Sequence, residues 1–380
     1  MFQFFNEDQK MLQKVVREFV EQEVAPHAAE WDEKDVCPVE LWPKLGQMGF
    51  FGIFVPSQYG GPGLGLTERN IILEEVSRHS AGLGIAMMTH ELAIAAILNF
   101  GSEEQKQTYL PLLLSGEKVG GLSVTEPTGG SDFGNQSTTI EKTEEGYVIN
   151  GRKCFITNSH IAQINVITGT SGVNEKGRKM ISTVIVPEGT PGWTAGRKEN
   201  KLGLRGSVTG DIICCDVKVP HNCMIGNEGD GTKIAMHTIG HFGRSGMAAI
   251  AVGVIKGCYE EGIKFSKERM VYAKPISNLQ AIQFIIAENM VDLEAGHAML
   301  YNACAIYDRG QSCVAEIAAV KLFTSEAAAR ASKRTIDLMG GYGIINEYPI
   351  GRFLRDSMAI IPSGGTSHIM SIIIAGTVCR

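Results

Sequence analysis

The sequence predicts an α+β protein in three parts: an N-terminal helical domain, a central small β-barrel domain and a C-terminal four-helix-bundle domain. Three observations carry this. Apolar residues recur at helical spacing through the first third of the chain. Short β-branched segments cut by Gly, Pro and Asn fill the middle. Long helical patterns then return and run to the end. The expected domains are residues 1–120, 121–228 and 229–380.

Met11, Leu12, Val15, Val16, Phe19, Val20 and Val24 mark the first helix, and Pro26 stops it. A turn-rich stretch, Pro56 to Gly65, leads to helical patterns at Ile71–Val76 and around Leu92–Leu98. The segment GSEEQKQTYLPLLLSGE follows as a capped amphipathic helix. The strands are YVIN, CFITN, INVITG, MISTVIVP, GWTAG and DIICCDVKVP. Helices are expected over 244–268, 280–308 and 313–339, with a final one from 367.

The 380 residues are 44% hydrophobic and 20% charged, a globular composition with material for sizeable cores. The net charge is −6 and no Lys/Arg block occurs, which argues against nucleic acid or an anionic membrane as partner. A small-molecule substrate is expected instead. The nine cysteines form no CxxC pair and read as free thiols of a reducing compartment, with no metal site. No leader and no run of about 20 apolar residues is visible, so the cytoplasm is the expected location. The clusters GGPGLG and GNEGDG do not lie between a strand and a helix and read as turns.

Five segments carry a family likeness: LSVTEPTGGSD (Leu122 to Asp132), GRKCFITNS, ERMVYAKPI, NLQAIQF and DLMGGYGIINEYPIGRFLRDS. In order and spacing they resemble the acyl-CoA dehydrogenases, flavoproteins that bind FAD and a CoA thioester. The likeness spans essentially the whole chain. It implies that Leu122, Val124 and Thr125 address the flavin's pyrimidine side, that Gly130 and Ser131 approach the pyrophosphate, and that Ser131 also borders the substrate. Phe155, where tryptophan is more usual, would lie against the flavin ring with the Thr157 hydroxyl near N5. Arg269, Tyr272, Gln280, Gly340 and Gly341 would reach the FAD of a neighbouring subunit, which implies a homotetramer built as two dimers. Thr366 and His368 keep flavin-contact positions, and Arg244 and Gly365 substrate positions. An electron-transferring flavoprotein is the implied electron acceptor.

The likeness breaks at the catalytic base. Where relatives carry Tyr-Glu-Gly-Thr this chain reads PSGGTSH, so Gly364 replaces the glutamate that removes the α-proton. The alternative base position, one residue before Arg244, is Gly243. The Gly364 N–H can still donate to the thioester carbonyl. Glu91, in MMTHELAIAAIL, shares a helix face with Ile94, Ala95 and Leu98 and is a candidate replacement base. The plainer reading makes it a helix-end residue. Between Met236 and Arg244, HTIGHFG is one residue longer than the common pattern. There His241 and Phe242 would reshape the acyl pocket, or His241 would be a solvated loop residue.

A base moved along the acyl chain reaches a γ proton, which a 2,3-double bond makes acidic. That resembles the alicyclic enzymes acting on cyclohexene carboxyl-CoA, in which a 1,4-elimination yields a conjugated diene. Two other readings stand beside it: a base-less lyase or desulfinase, with Arg78 as its anion-binding arginine, and a non-catalytic CoA-binding subunit.

Overall fold

Asn6 and Gln9 begin the first helix by exchanging bonds: Asn6 Oδ1 accepts from the Gln9 N–H at 2.8 Å, and Gln9 Oε1 from the Asn6 N–H at 3.0 Å. The computed structural model describes residues 5–379; residues 1–4 and 380, where the expected outer domains begin and end, lie outside the described residues. The N-terminal helices are α1 (Glu7–Glu23), α2 (Ala28–Lys34), α3 (Trp42–Gln47), α4 (Leu66–Ser77), α5 (Ala81–Phe100) and α6 (Glu103–Leu114). Helix α6 has the expected cap, with Ser102 and Gln105 bonded reciprocally.

Helix α5 is the centre of this part. It is 20 residues long and apolar enough to cross a membrane by length and composition, which corrects the expectation that no such run exists; 94% of its most apolar window is buried inside the protein. Helix α4 is likewise buried almost all round. Charged residues on two such helices must find partners inside the protein.

The middle part contains β1 (Gly120–Ser123), β2 (Thr139–Lys142), β3 (Gly146–Thr157), β4 (Ile164–Val173), β5 (Lys179–Pro187), β6 (Trp193–Lys198) and β7 (Thr209–Pro220). YVIN and CFITN are one strand, β3, whose pairing with β7 shifts register at Gly151 and again around Phe155. Strand β4 pairs with β5 along one edge, and its other edge takes β1 in parallel and then β2. The sheet continues through β3 and β7 to β6. Among the described residues no pairing joins β5 to β6, so the sheet is open and the expected barrel is corrected. Its own core includes Ile140, Ile149, Ile167, Val184, Ile212 and Val217.

Strand β1 lies directly on α5. A side chain at Gly120 would meet Ala93 Cβ at 2.9 Å, and the Gly120 N–H donates to His90 Nδ1 at 2.8 Å. The close approach needs glycine here.

Helix α7 (Gly231–His237) runs into a π-helical turn, Thr238–Gly243, and then into α8 (Arg244–Glu268). The short strands β8 (Met270–Val271) and β9 (Lys274–Pro275) precede α9 (Gln280–Asp308), α10 (Val314–Met339), α11 (Ile350–Ile360) and α12 (Ser367–Val378). Helices α8, α9 and α10 pack on one another, α11 packs on α8 and α10, and α12 on α10. The fourth member of the bundle is therefore α11, for which we read no sequence signal. Helix α4 also packs on α8, joining the two helical parts around one core.

Candidate active site

Gly364 lies in the turn between α11 and α12, at φ +68°, followed by Gly365 at φ +117°. Two successive left-handed residues favour glycine. The turn is held through its carbonyls. Lys321, on α10, donates from Nζ to Ile361 O at 2.6 Å and Gly365 O at 2.7 Å, and burial lowers its ammonium to about 8. Arg244, the first residue of α8, donates from Nε to Gly364 O at 3.3 Å. Thr366 then caps α12 by accepting from the Ile369 N–H at 3.3 Å, with His368 exposed as the second residue of the helix.

Gly243 closes the π-helical turn. A Cβ there would meet Ile239 Cγ2 at 3.4 Å and Leu92 Cδ2 at 3.8 Å, ordinary contacts that do not demand glycine. The second base position thus carries no side chain although a Cβ would fit there in ordinary contact, beside the neighbour of Glu91.

Glu91 sits in the interior of α5, not at its end, and is 1% exposed. The helix-end reading is corrected. Ile94 and Ala95 are buried with it, and Leu98 is half-buried. Its partner is Arg69 on α4, whose Nε donates to Oε2 at 2.8 Å. Arg69 also donates from Nη1 to Phe242 O at 2.8 Å, and among the described residues its buried Nη2 has no hydrogen-bond partner. Burial raises the Glu91 carboxyl to about 7 against the opposing pull of the Arg69 charge. Arg69 is the site residue that sequence reading missed. No sequence signal singles it out, because α4 also carries Glu68, Asn70, Glu74 and Glu75, and Arg69 reads as one polar residue among several.

The Arg69–Glu91 pair and the Gly364 turn meet the first turn of α8 from two sides. A Cβ at Gly246 would lie 3.1 Å from Arg69 Nη1, and one at Gly364 would lie 3.3 Å from Met247 Cγ. Successive residues of a helix point about 100° apart, so the two groups flank one helical turn.

HTIGHFG is not a loop. The extra residue is absorbed by the π-helical turn, whose i→i+5 bonding accommodates one insertion in a helix. His241 is half-buried, not solvated: Nδ1 lies 3.0 Å from His237 O, and its ring sits 5.1 Å from Tyr307. Phe242 is buried against Phe54 at 4.8 Å and Tyr307 at 5.8 Å. These rings wall the side on which the ion pair lies.

On the sheet, Leu122 is buried at the end of β1, Val124 and Thr125 are half-buried, and Gly130 and Ser131 are exposed. Thr125 O accepts from the Cys154 N–H at 2.9 Å, which lays this segment on β3. The buried Lys153 Nζ bonds Glu126 Oε1 at 2.6 Å and Val124 O at 3.2 Å, pinning the two sheet motifs together. Phe155 is held at φ +57° with its ring 66% exposed, two residues before the half-buried Thr157. An aromatic face displayed from a strained bulge, beside a hydroxyl and a glycine-rich turn, fits a planar ring with a pyrophosphate tail. The residues fit FAD.

The remaining positions lie at the other end of α8. Arg269 follows its last residue, with its guanidinium 5.2 Å from the Tyr342 ring centroid. Tyr342 belongs to the turn that begins at Gly340 and Gly341. Tyr272 is 88% exposed, and Gln280 starts α9. Helix α8 has 25 residues, so Arg244 and Arg269 stand about 37 Å apart. Arg78 is enclosed by Glu21, Glu75 and Glu260 at 2.6–3.3 Å, so its assignment as an anion-binding arginine is corrected.

Comparison with known proteins agrees with this arrangement. Residues 6–117, 121–217 and 229–378 match the N-terminal, middle and C-terminal domains of acyl-CoA dehydrogenase. The chain is 39% identical over 370 residues to an acyl-CoA dehydrogenase of Bacillus subtilis (strain 168), covering 97% of each protein. It is 37% identical over 375 residues to acryloyl-CoA reductase (NADH) of Anaerotignum propionicum, covering 98% of this chain and 95% of the relative. It superimposes on butyryl-CoA dehydrogenase from Megasphaera elsdenii with a TM-score of 0.96 at 33% identity, over 100% of both chains. The chain belongs to the acyl-CoA dehydrogenase family, FAD-binding oxidoreductases that act on CH–CH bonds.

Proposed function

We propose that this protein dehydrogenates a cyclic or already unsaturated acyl-CoA thioester, such as cyclohex-1-ene-1-carboxyl-CoA, with Glu91 as the base. One observation carries the reading. The family's two base positions are glycine, while a buried carboxylate, raised to about 7, lies one residue from the side chain that lines the second of them. A base is most effective with a pKa near the working pH.

The thioester carbonyl accepts from the Gly364 N–H, whose turn Lys321 and Arg244 hold in place. Conjugation makes the γ C–H acidic, because the negative charge left behind spreads to that carbonyl. Glu91 takes the γ proton, the double bond shifts, and a hydride leaves the carbon on the other side of the α carbon. When bound, FAD supplies the hydride acceptor. Thr125, Thr157, Gly130, Ser131 and Phe155 would hold it from the sheet, with Thr366 and His368 beside Gly364.

Arg269 and its neighbours Tyr272, Gln280, Gly340 and Gly341 lie about 37 Å from Arg244, at the far end of α8 from the Gly364 turn, which supports a site shared between two chains. Helix α12, with only Met370 buried and Ile372 65% exposed, supports further assembly into a homotetramer. The electrons would pass to an electron-transferring flavoprotein. The lyase reading loses its support, because Arg78, its anion-binding arginine, is already enclosed by Glu21, Glu75 and Glu260.

Flavin bleaching with a panel of acyl-CoA esters tests the proposal. Cyclic enoyl-CoA should bleach the flavin, and saturated straight chains should bind without doing so. Rapid bleaching by butyryl-CoA would remove the argument from the missing base.

A further inference from the structure

We propose that Arg69 is a positioning residue for Glu91, fixing one carboxylate oxygen and holding the group ionised so that the other oxygen takes the proton; this rests on the reading of Glu91 as base. The geometry is specific. Among the described residues Oε2 alone accepts from Arg69, and the guanidinium is braced at a second point by the Phe242 carbonyl. That carbonyl stands where the π-helical turn passes into α8, so the inserted residue and the arginine are mechanically joined. At Gly246, in the first turn of α8, a methyl group would meet Met88 Cγ at 2.8 Å and Sδ at 2.9 Å as well as Arg69 Nη1 at 3.1 Å. The π-helical turn and Gly246 thus both meet one guanidinium.

The other charges near Glu91 do not substitute for it. His237 and His241, from α7 and the π-helical turn, are held below the ordinary histidine range by burial. Burial pushes Tyr307, on α9, up to about 12. Arg244, on α8, is turned to the Gly364 carbonyl. Asp308 is committed to the Leu66 and Thr67 amides at the start of α4. His90, one residue from Glu91, bonds Gly120 and Leu113. With Arg69 removed, burial acts on Glu91 unopposed, and its proton is released only at higher pH.

The test is the pH profile of kcat/KM for the FAD-loaded enzyme with cyclohex-1-ene-1-carboxyl-CoA. Arg69→Gln should move the acid limb to higher pH and lower kcat/KM at pH 7 by about tenfold or more, with recovery as pH rises. Arg69→Lys, which keeps a charge, should displace the limb less. An Arg69→Gln limb in its wild-type place overturns the inference, whatever the absolute rate. Selective loss of carboxylate-bearing acyl-CoA substrates with an unmoved limb also overturns it, by making Arg69 a substrate ligand through Nη2. If Arg69→Gln does not fold, Arg69→Met, which is uncharged and apolar in a buried site, is read in the same way, and an unmoved limb again contradicts it. Glu91→Gln separates the two claims. If that variant stays active, the base assignment fails; if it is dead while Arg69→Gln keeps its limb, only the positioning role fails.

Discussion

Lys153 and Glu126 stand 2.6 Å apart with both side chains almost fully buried, and they connect the two sheet segments on which the flavin reading rests. Lys153 also bonds Gln136 Oε1 at 2.8 Å, while Glu126 accepts from the Ser137 and Thr138 amides at 2.5 and 3.0 Å. The glycine-rich turn at 127–131 therefore hangs from a buried ion pair. A pair so well bonded is costly to break from one side.

Lys153→Met should lower stability by about 3–5 kcal/mol, since it leaves a buried carboxylate without its cation. FAD should be lost before the chain unfolds, because the turn is released first. Thermal melting followed by both flavin fluorescence and circular dichroism checks this. Coincident transitions at the wild-type temperature would contradict it.

Arg269→Ala separates cofactor retention from folding. The side chain is exposed within one chain and stacks on Tyr342. Its replacement should leave secondary structure intact yet weaken FAD binding by roughly 1.5–3 kcal/mol, the worth of a hydrogen bond to a charged group. Unchanged FAD content after dialysis would exclude Arg269 from the shared site.

Gly364→Glu tests the vacant base position. The residue must adopt φ +68°, at a cost of roughly 1–2 kcal/mol for a non-glycine residue. A loss of stability is therefore expected alongside a gain of butyryl-CoA oxidation. A variant that folds, binds FAD and shows no gain would mean that the turn no longer presents its side chain to the α carbon.

His90 predicts how the fold responds to acid. Its Nδ1 accepts from Gly120, so Nε2 carries the proton donated to Leu113 O at 3.0 Å, and burial drives the imidazole down to about 3. An unfolded histidine titrates near 6.5. Between these values the unfolded chain binds more protons, so the contribution is complete above about pH 6.5 and declines as pH falls towards 3. The wild type should lose stability on acidification from about pH 7 to 5, and His90→Gln, weaker at pH 7, should show a shallower decline over that range. Equal losses of unfolding free energy from pH 7 to 5 in the wild type and the variant, measured by urea titration, would contradict this.

Much of the scaffold is legible in the sequence because it depends on local chemistry. The Ser102 cap and the apolar spacing of the long helices act within a few residues of themselves. Strand β3 was harder, since Gly151 reads as a break and is a shift of register inside one strand. Glu91 stands out as an acid in an apolar run, yet its place in the interior of α5 depends on where the helix begins. Arg69 and Arg78 could not be told apart, because their roles are set by partners from distant segments: Glu91 and Phe242 for one, Glu21 and Glu260 for the other. The extra residue before Arg244 is countable, but its conversion into a π-helical turn is a packing outcome.

The most direct test of the account is the turnover of Glu91→Gln with cyclohex-1-ene-1-carboxyl-CoA deuterated at the γ carbon. Glutamine keeps the size of the side chain and can still meet Arg69, but it cannot accept a proton. Turnover should fall on the order of 10²–10⁴-fold, the usual worth of a positioned general base. Deuterium wash-out from the γ carbon should stop, while FAD content and thioester affinity change little. Near-wild-type turnover, or γ exchange that continues in the variant, would contradict the assignment of Glu91 as the base.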